Sequence, residues 1–257
     1  MKRFLAAIRF LTVLRVPGAW GTAEADLAGS PIFFPVVGLL LGVLAAALAM
    51  ALAVCLPALA ASALLVIALL AFSGGLHMDG LSDTSDGFLS SRPRERVLEI
   101  MRDSHVGAMG VMAIACVLML KFSLLASLPP GRVWRAALLM PLAGRVALVL
   151  NLALLPYARP QGGLAAIFFR RRPVAAALFG VVLLAGAGWY VAAWQGLAAA
   201  AAAIVVALLF GLYSYRRIGG VTGDTLGAAC ELAEIAPALI LAGAPQIVAM
   251  VTTATTA

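Results

Sequence analysis

The chain has 257 residues, 64% of them hydrophobic and 11% charged, with a formal net charge of +7, and its mean hydropathy is +1.08. Soluble domains carry about 25% charged residues, so this composition excludes an ordinary soluble enzyme and points to a single integral-membrane domain over residues 1–257. The basic surplus does not argue for nucleic acid, because most basic residues flank apolar runs, where they set membrane topology; no nucleic-acid partner is expected.

The first residues, MKRFLAAIRFLTVLRV, do not make a signal peptide: Arg9 and Arg15 interrupt the apolar stretch, and no small-residue cleavage site follows. They read as a short amphipathic helix on the membrane surface, with Lys2, Arg3, Arg9 and Arg15 toward head groups. A spanning helix needs about 20 mostly apolar residues. Segments near 32–55, 58–75, 107–128, 134–155, 174–194, 197–213 and 226–250 meet or approach that length. Tight turns join the pairs around Pro57 and around Gln195-Gly196. The expected fold is all-α, a polytopic transmembrane helical bundle of about seven spanning helices plus the interfacial one. Cys55, Cys116 and Cys230 lie far apart, each in or beside an apolar run, and read as small buried residues.

An excess of Lys and Arg marks cytoplasmic loops. The basic N-terminus starts inside. The chain returns there at 76–106 with Arg92, Arg94, Arg96 and Arg102, at 156–173 with Arg159, Arg170, Arg171 and Arg172, and at 214–225 with Arg216 and Arg217. The uncharged TTATTA at the end falls outside. Arg132 and Arg135 sit on an external turn against this trend and are outvoted. The reading is a multi-pass protein of the cytoplasmic (inner) membrane.

Of eleven acidic residues, six lie between 79 and 103 and three between 224 and 234, both groups at the cytoplasmic face by this topology. In LHMDGLSDTSDG (76–87), Asp79, Asp83 and Asp86 stand at i, i+4 and i+7, within about 60° of one another on a helix. Such like charges repel by about a few tenths of a kcal/mol per pair on an exposed helix, and more where water is scarce. A divalent cation reverses that repulsion, and hard carboxylate oxygens suit Mg²⁺ or Mn²⁺. Asp224 and Glu231 repeat the i, i+7 spacing on the last helix. The plainer reading is solvated interfacial acids balancing nearby arginines. For Glu95 and Glu99, which follow a helix start at Arg92-Pro93 and alternate with Arg96 and Arg102, a salt-bridged helix face is the better account.

Other polar residues are candidates on cost. Arg145 lies inside an apolar span, where an arginine is expensive, and is expected to face the polar site; Lys121 has snorkelling as an equal alternative. GGVTGD (219–224) precedes a helix, and its N–H groups suit a phosphate or simply form an entry loop. His77 is about 160° from Asp79 on an ideal helix, so it shares the site only if the chain unwinds at Gly74-Gly75 or Gly80. Carboxylates facing the cytoplasm from a bundle suit metal-assisted chemistry on a pyrophosphate. That leaves open a phosphotransferase using nucleotide-diphospho-alcohols, a prenyltransferase, or, from another class, an ion-coupled transporter. The transporter reading expects isolated mid-membrane acids and an inverted repeat, and neither is visible. Asp83-Thr-Ser-Asp86-Gly87 matches the first half of a phosphotransferase signature, D-x-x-D-G, but the Ala-Arg that usually follows is missing.

The stretch GGLHMDGLSDTSDGFLSSRPRERVLEIMRDSHVGAMG (74–110) closely resembles the cobalamin synthase family, the adenosylcobinamide-GDP ribazoletransferases. So do RRIGGVTGDTLGAACELAE (216–234), FLTVLRVPGAW (10–20), LAGRVALVLN and YARPQGG, in the expected order. The resemblance implies a Mg²⁺-dependent membrane transferase, with Mn²⁺ as the alternative ion. It would join adenosylcobinamide-GDP to α-ribazole or its 5′-phosphate and release GMP, from the cytoplasmic face of the bilayer, as a single chain or an oligomer. On this reading His77, Asp79, Asp83 and Asp86 are catalytic, and Asp79, Asp83, Asp86, Asp224 and Glu231 hold metal. Arg102, Asp103, Arg145, Arg159, Arg217, Gly220, Thr222 and Gly223 would bind substrate.

Overall fold

In the computed structural model the chain is almost wholly helical. The structure describes residues 1–159 and 162–255, with only the backbone course given for Leu164 and 244–255. The expected external end of the chain therefore falls on side chains, and at 256–257 on residues, outside the described ones.

Helix α1 (Lys2–Leu11) buries Ala6, Ala7 and Leu11 against the bundle. Its Arg9 does not face head groups as expected. It donates to the carbonyls of Val16, Gly18 and Trp20, because loop carbonyls that lack secondary-structure partners must be satisfied somewhere. A short α2 (Glu24–Ala28) leads to α3 (Phe34–Cys55), and a tight turn at Leu56-Pro57 leads to α4 (Ala58–Phe72). Then Gly74 and Gly75 adopt φ of 62° and 77°, a conformation that glycine takes without steric cost. Those two residues let α5 (Leu76–Phe88) leave α4 at 88°. The bundle continues with α6 (Arg94–Ile100), α7 (Ala108–Ser127), α8 (Val133–Leu154), α9 (Val174–Ile218) and α10 (Gly223–Thr255).

Among the described residues, five helices are long and apolar enough to cross a membrane, or six when the bent pair α4–α5 counts as one span. The expectation of about seven is not reached by this count. The 58–75 run holds only a 15-residue helix before the glycine break, and the two spans expected over 174–213 form one helical run. That run is broken, however. Ala192 and Ala193 have non-helical dihedrals, and a Cβ on Gly188 would stand 2.4 Å from the Gly196 carbonyl oxygen. In a continuous helix those residues would be about 12 Å apart, so the chain doubles back there, close to the turn expected at Gln195-Gly196.

Helix α8 is the centre of the bundle. It is buried almost throughout from Ala136 to Ala153 and packs against α3, α9 and α10. The turns segregate to two ends. Leu56, Ala58, Pro130 and Val133 line one small cavity, so the α3–α4 and α7–α8 turns meet. At the other end an isolated bridge pairs Tyr157 with Val221. Arg94 clamps that end by donating to the carbonyls of Ile218 at 2.6 Å and Ala158 at 3.0 Å. The basic and acidic loops thus gather at one end. Cys230 is buried as expected, whereas Cys55 and Cys116 are exposed, because the outer face of a membrane bundle is itself apolar and meets lipid.

Candidate active site

The acid-rich end is organised by a close helix crossing. A Cβ on Gly80 would lie 2.7 Å from the Asp224 carbonyl oxygen, and one on Gly227 would lie 3.0 Å from the His77 carbonyl oxygen. Only residues without side chains let α5 and the start of α10 approach this closely. The crossing sets Asp79, which flanks Gly80, beside Asp224. The charges of Asp79, Asp224 and Asp86 all act repulsively on Asp83, and Arg159 acts attractively. Arg159 reaches in from the α8–α9 connection. Its Nη2 donates to Asp224 Oδ2 at 2.6 Å and to the Met101 carbonyl at 3.3 Å, while its buried Nε has no partner. Thr222 Oγ1 also donates to Asp224 Oδ2, at 3.4 Å.

These groups open on a cleft of about 170 Å³. Its polar lining is His77, Asp79, Tyr157, Arg159 and Asp224, and its apolar lining includes Phe10, Phe34, Leu148, Leu152 and Phe168. His77 therefore borders the same cleft as Asp79; the chain is unwound just before it, at Gly74-Gly75. Burial pushes the Tyr157 phenol above its ordinary range, against the pull of Arg159 and, more weakly, Arg102. Asp83 does not itself line the cleft but stands one turn of α5 from Asp79. The arrangement is that of an anion site with surplus carboxylates, suited to a phosphate ester carried with a cation.

A family model described as cobalamin-5-phosphate synthase matches residues 3–242. The chain belongs to the cobalamin-5-phosphate synthase family. It is 38% identical over 232 residues to an adenosylcobinamide-GDP ribazoletransferase of Acetivibrio thermocellus, covering 90% of this chain and 94% of the relative. It is 43% identical over 230 residues to a protein of that name from Roseiflexus sp., covering 89% and 85%. With one from Desulfitobacterium hafniense it shares 38% over 248 residues, covering 95% and 96%. No solved structure matches the chain.

The structure gathers only part of the site expected from the sequence. Glu231 is not beside Asp224. It lies deeper on α10, where Lys121 Nζ donates to Glu231 Oε2 and Glu234 Oε2, both at 2.6 Å, and Arg145 Nη1 donates to Glu234 Oε1 at 2.6 Å. Seven residues advance a helix by about 10 Å, enough to carry Glu231 from the mouth into the bundle. Arg145 accordingly faces this buried cluster and not the aspartates, and Lys121, only 2% exposed, does not snorkel. Asp86 accepts the backbone N–H groups of Gly107 and Gly110 at 2.8 and 2.9 Å. It caps the start of α7 from a neighbouring helix, satisfying donors that a helix N-terminus leaves free.

The remaining expected residues divide. Gly223 lines the cleft. Gly220 packs against the Pro156 carbonyl, and Thr222 Oγ1 accepts the Thr225 N–H, so much of GGVTGD serves as an entry turn. Arg217 donates to the carbonyls of Phe88 and Arg92, tying α9 to the loop after α5. Asp103 pairs with His105 at 2.6 Å on the surface, each holding the other ionised, which lowers the Asp103 carboxyl and raises the His105 imidazole. Arg102 lies close enough to act on Tyr157. Arg96 and Glu99 form the expected exposed salt bridge at 2.7 Å. Tyr157 and the three phenylalanines were not singled out by sequence; Tyr157 and Phe10 do lie in the family-like stretches YARPQGG and FLTVLRVPGAW.

The donors fit a hard divalent cation. Asp79, Asp83 and Asp224 offer carboxylate oxygens, and the Arg159 guanidinium pairs with Asp224. Among the described residues no three His, Cys, Asp or Glu side chains converge into a cage of their own. Mg²⁺ in phosphate sites needs only one or two carboxylates, with substrate phosphate and water completing the shell.

Proposed function

We propose that this chain transfers the cobinamide-phosphate moiety of adenosylcobinamide-GDP to α-ribazole or its 5′-phosphate, forming adenosylcobalamin or its 5′-phosphate and GMP. The observation that carries the reading is the crossing of α5 and α10, which sets Asp79 and Asp224 with Arg159 on one cleft and Asp83 one turn behind them. The names of relatives that align over nearly their whole length support it.

The chemistry follows from these groups. A ribazole hydroxyl forms an O–P bond to the phosphorus attached to cobinamide, and the bond from that phosphorus to the GMP oxygen breaks. Arg159 steadies a phosphate oxygen through its unpartnered Nε and offsets charge on the leaving phosphate. His77, or an aspartate at the cleft, takes the hydroxyl proton. Asp79 and Asp224, with Asp83 one turn behind, would supply one or two carboxylates to Mg²⁺, or Mn²⁺, whose charge would offset that of the pyrophosphate. The basic loops at this end, with Arg92, Arg94, Arg96, Arg102 and Arg170–172, support placing it on the cytoplasmic side of the inner membrane.

The test is purified protein in lipid vesicles with adenosylcobinamide-GDP, α-ribazole and Mg²⁺. GMP is expected to appear, to stop in excess chelator, and to return with Mn²⁺. Absence of GMP with both substrates and metal overturns the reading; undiminished release in chelator overturns the metal role.

A further inference from the structure

We infer that the phenylalanine wall of the cleft seats the aromatic base of the acceptor nucleoside, a subsite that rests on the transferase reading above. Three segments far apart in the chain build that wall. Phe10 comes from α1, Phe34 from the first turn of α3, and Phe168 from the 3₁₀ segment Leu164–Arg170. Their rings touch one another: Phe10 and Phe34 stack at 5.9 Å, and Phe168 meets them edge-on at 4.9 and 5.5 Å. The wall belongs to the same cavity as Asp79, Arg159 and Asp224, so a ligand lying in it presents its other end to the carboxylates.

Size and polarity select the occupant. A cavity of about 150 Å³ accepts one benzene-sized ring, and this cleft offers about 170 Å³ with a polar side, so it has room for part of one planar aromatic base while the rest of the nucleoside stays at the open mouth. The corrinoid of the donor is far too large. Guanine carries donors and acceptors around its edge that phenylalanine cannot satisfy, and burying them unpaired is costly. The dimethylbenzimidazole base of ribazole is planar, bicyclic and nearly apolar, and it offers an aromatic face and edges to the three rings. With the base there, the ribose hydroxyls point toward the charged end, where the phosphorus is to be attacked. Phe10, Phe34 and Phe168 are then specificity-determining residues for the acceptor.

Steady-state kinetics on the full chain in vesicles test this. For the wild type, free 5,6-dimethylbenzimidazole is expected to compete with α-ribazole and not with adenosylcobinamide-GDP. The riboside of unsubstituted benzimidazole should lose about tenfold or more in kcat/KM, as expected for methyl groups removed from an apolar pocket. Phe168→Ala should raise the acceptor KM about tenfold and leave the donor KM within twofold, with Phe168→Leu intermediate. Competition against the donor, or a donor KM that rises while the acceptor KM stays, overturns the subsite and leaves the transferase reading standing. No GMP from the wild type sinks both. If Phe168→Ala does not fold, the wild-type competition decides alone.

Discussion

Two charged clusters share helix α10 and differ in balance and access. At its start, Asp224 and Asp79 line a cleft with Arg159, and Asp83 stands one turn behind on α5. Further along, Glu231 and Glu234 stand with Lys121 and Arg145, all 5% exposed or less, in contacts of 2.6 Å. The deep cluster has two negative and two positive charges and is closed to solvent. Such a set is tolerable in a low-dielectric interior only because each charge has its partner. The outer cluster gathers Asp79, Asp83 and Asp224 around Arg159 and opens on the cleft. Residue type does not separate a structural charge cluster from a chemical one; surplus charge facing open space does. His77 lies between them, bordering the cleft and feeling the charges of Arg145 and Lys121.

The sharpest way to break this comparison is to unbalance the deep cluster. Lys121→Met leaves two buried glutamates facing Arg145 alone and is expected to cost about 3–5 kcal/mol of stability, measured by denaturant or thermal unfolding in detergent. Adding Glu231→Gln should recover much of it. Remaining activity should follow the folded fraction; normal unfolding with kcat abolished would move the deep cluster into the chemistry.

Next in size, Asp83→Asn and Asp224→Ala are each expected to lower kcat by about 10²–10³-fold while the unfolding transition shifts little. Asp83→Ala combined with Asp224→Ala should cost far less than the product of the single effects, because residues acting as a unit are non-additive. Multiplicative losses would mean that the two helices serve separate sites.

The smallest effect separates Asp86 from its neighbours. Asp86→Ala removes the acceptor for two N–H groups of α7 and is expected to cost about 1 kcal/mol of stability, with kcat falling less than tenfold. A loss of kcat equal to that of Asp83→Asn would restore Asp86 to the site.

Much was legible in the sequence. Apolar runs of spanning length dictated a helical membrane bundle, since a lipid-facing backbone must satisfy its own hydrogen bonds. Clustered acids beside Gly80 and GGVTGD marked the end where chemistry gathers, because carboxylates are too costly to leave there without purpose. Periodicity on one helix also gave the proximity of Asp79 and Asp83. It could not say how far along its own axis a second helix meets the first. Only packing decided that Asp224 reaches the aspartates while Glu231 falls to Lys121, that Arg145 turns away to Glu234, and that Asp86 is taken up by the N–H groups of Gly107 and Gly110. The cleft wall was equally invisible, because Phe10, Phe34 and Phe168 are ordinary apolar residues until three distant segments bring their rings together. Helix identity and charge placement are local properties of a chain, whereas the partner of each charge and the shape of a cavity depend on which non-local surfaces fit closely enough to exclude water and lipid.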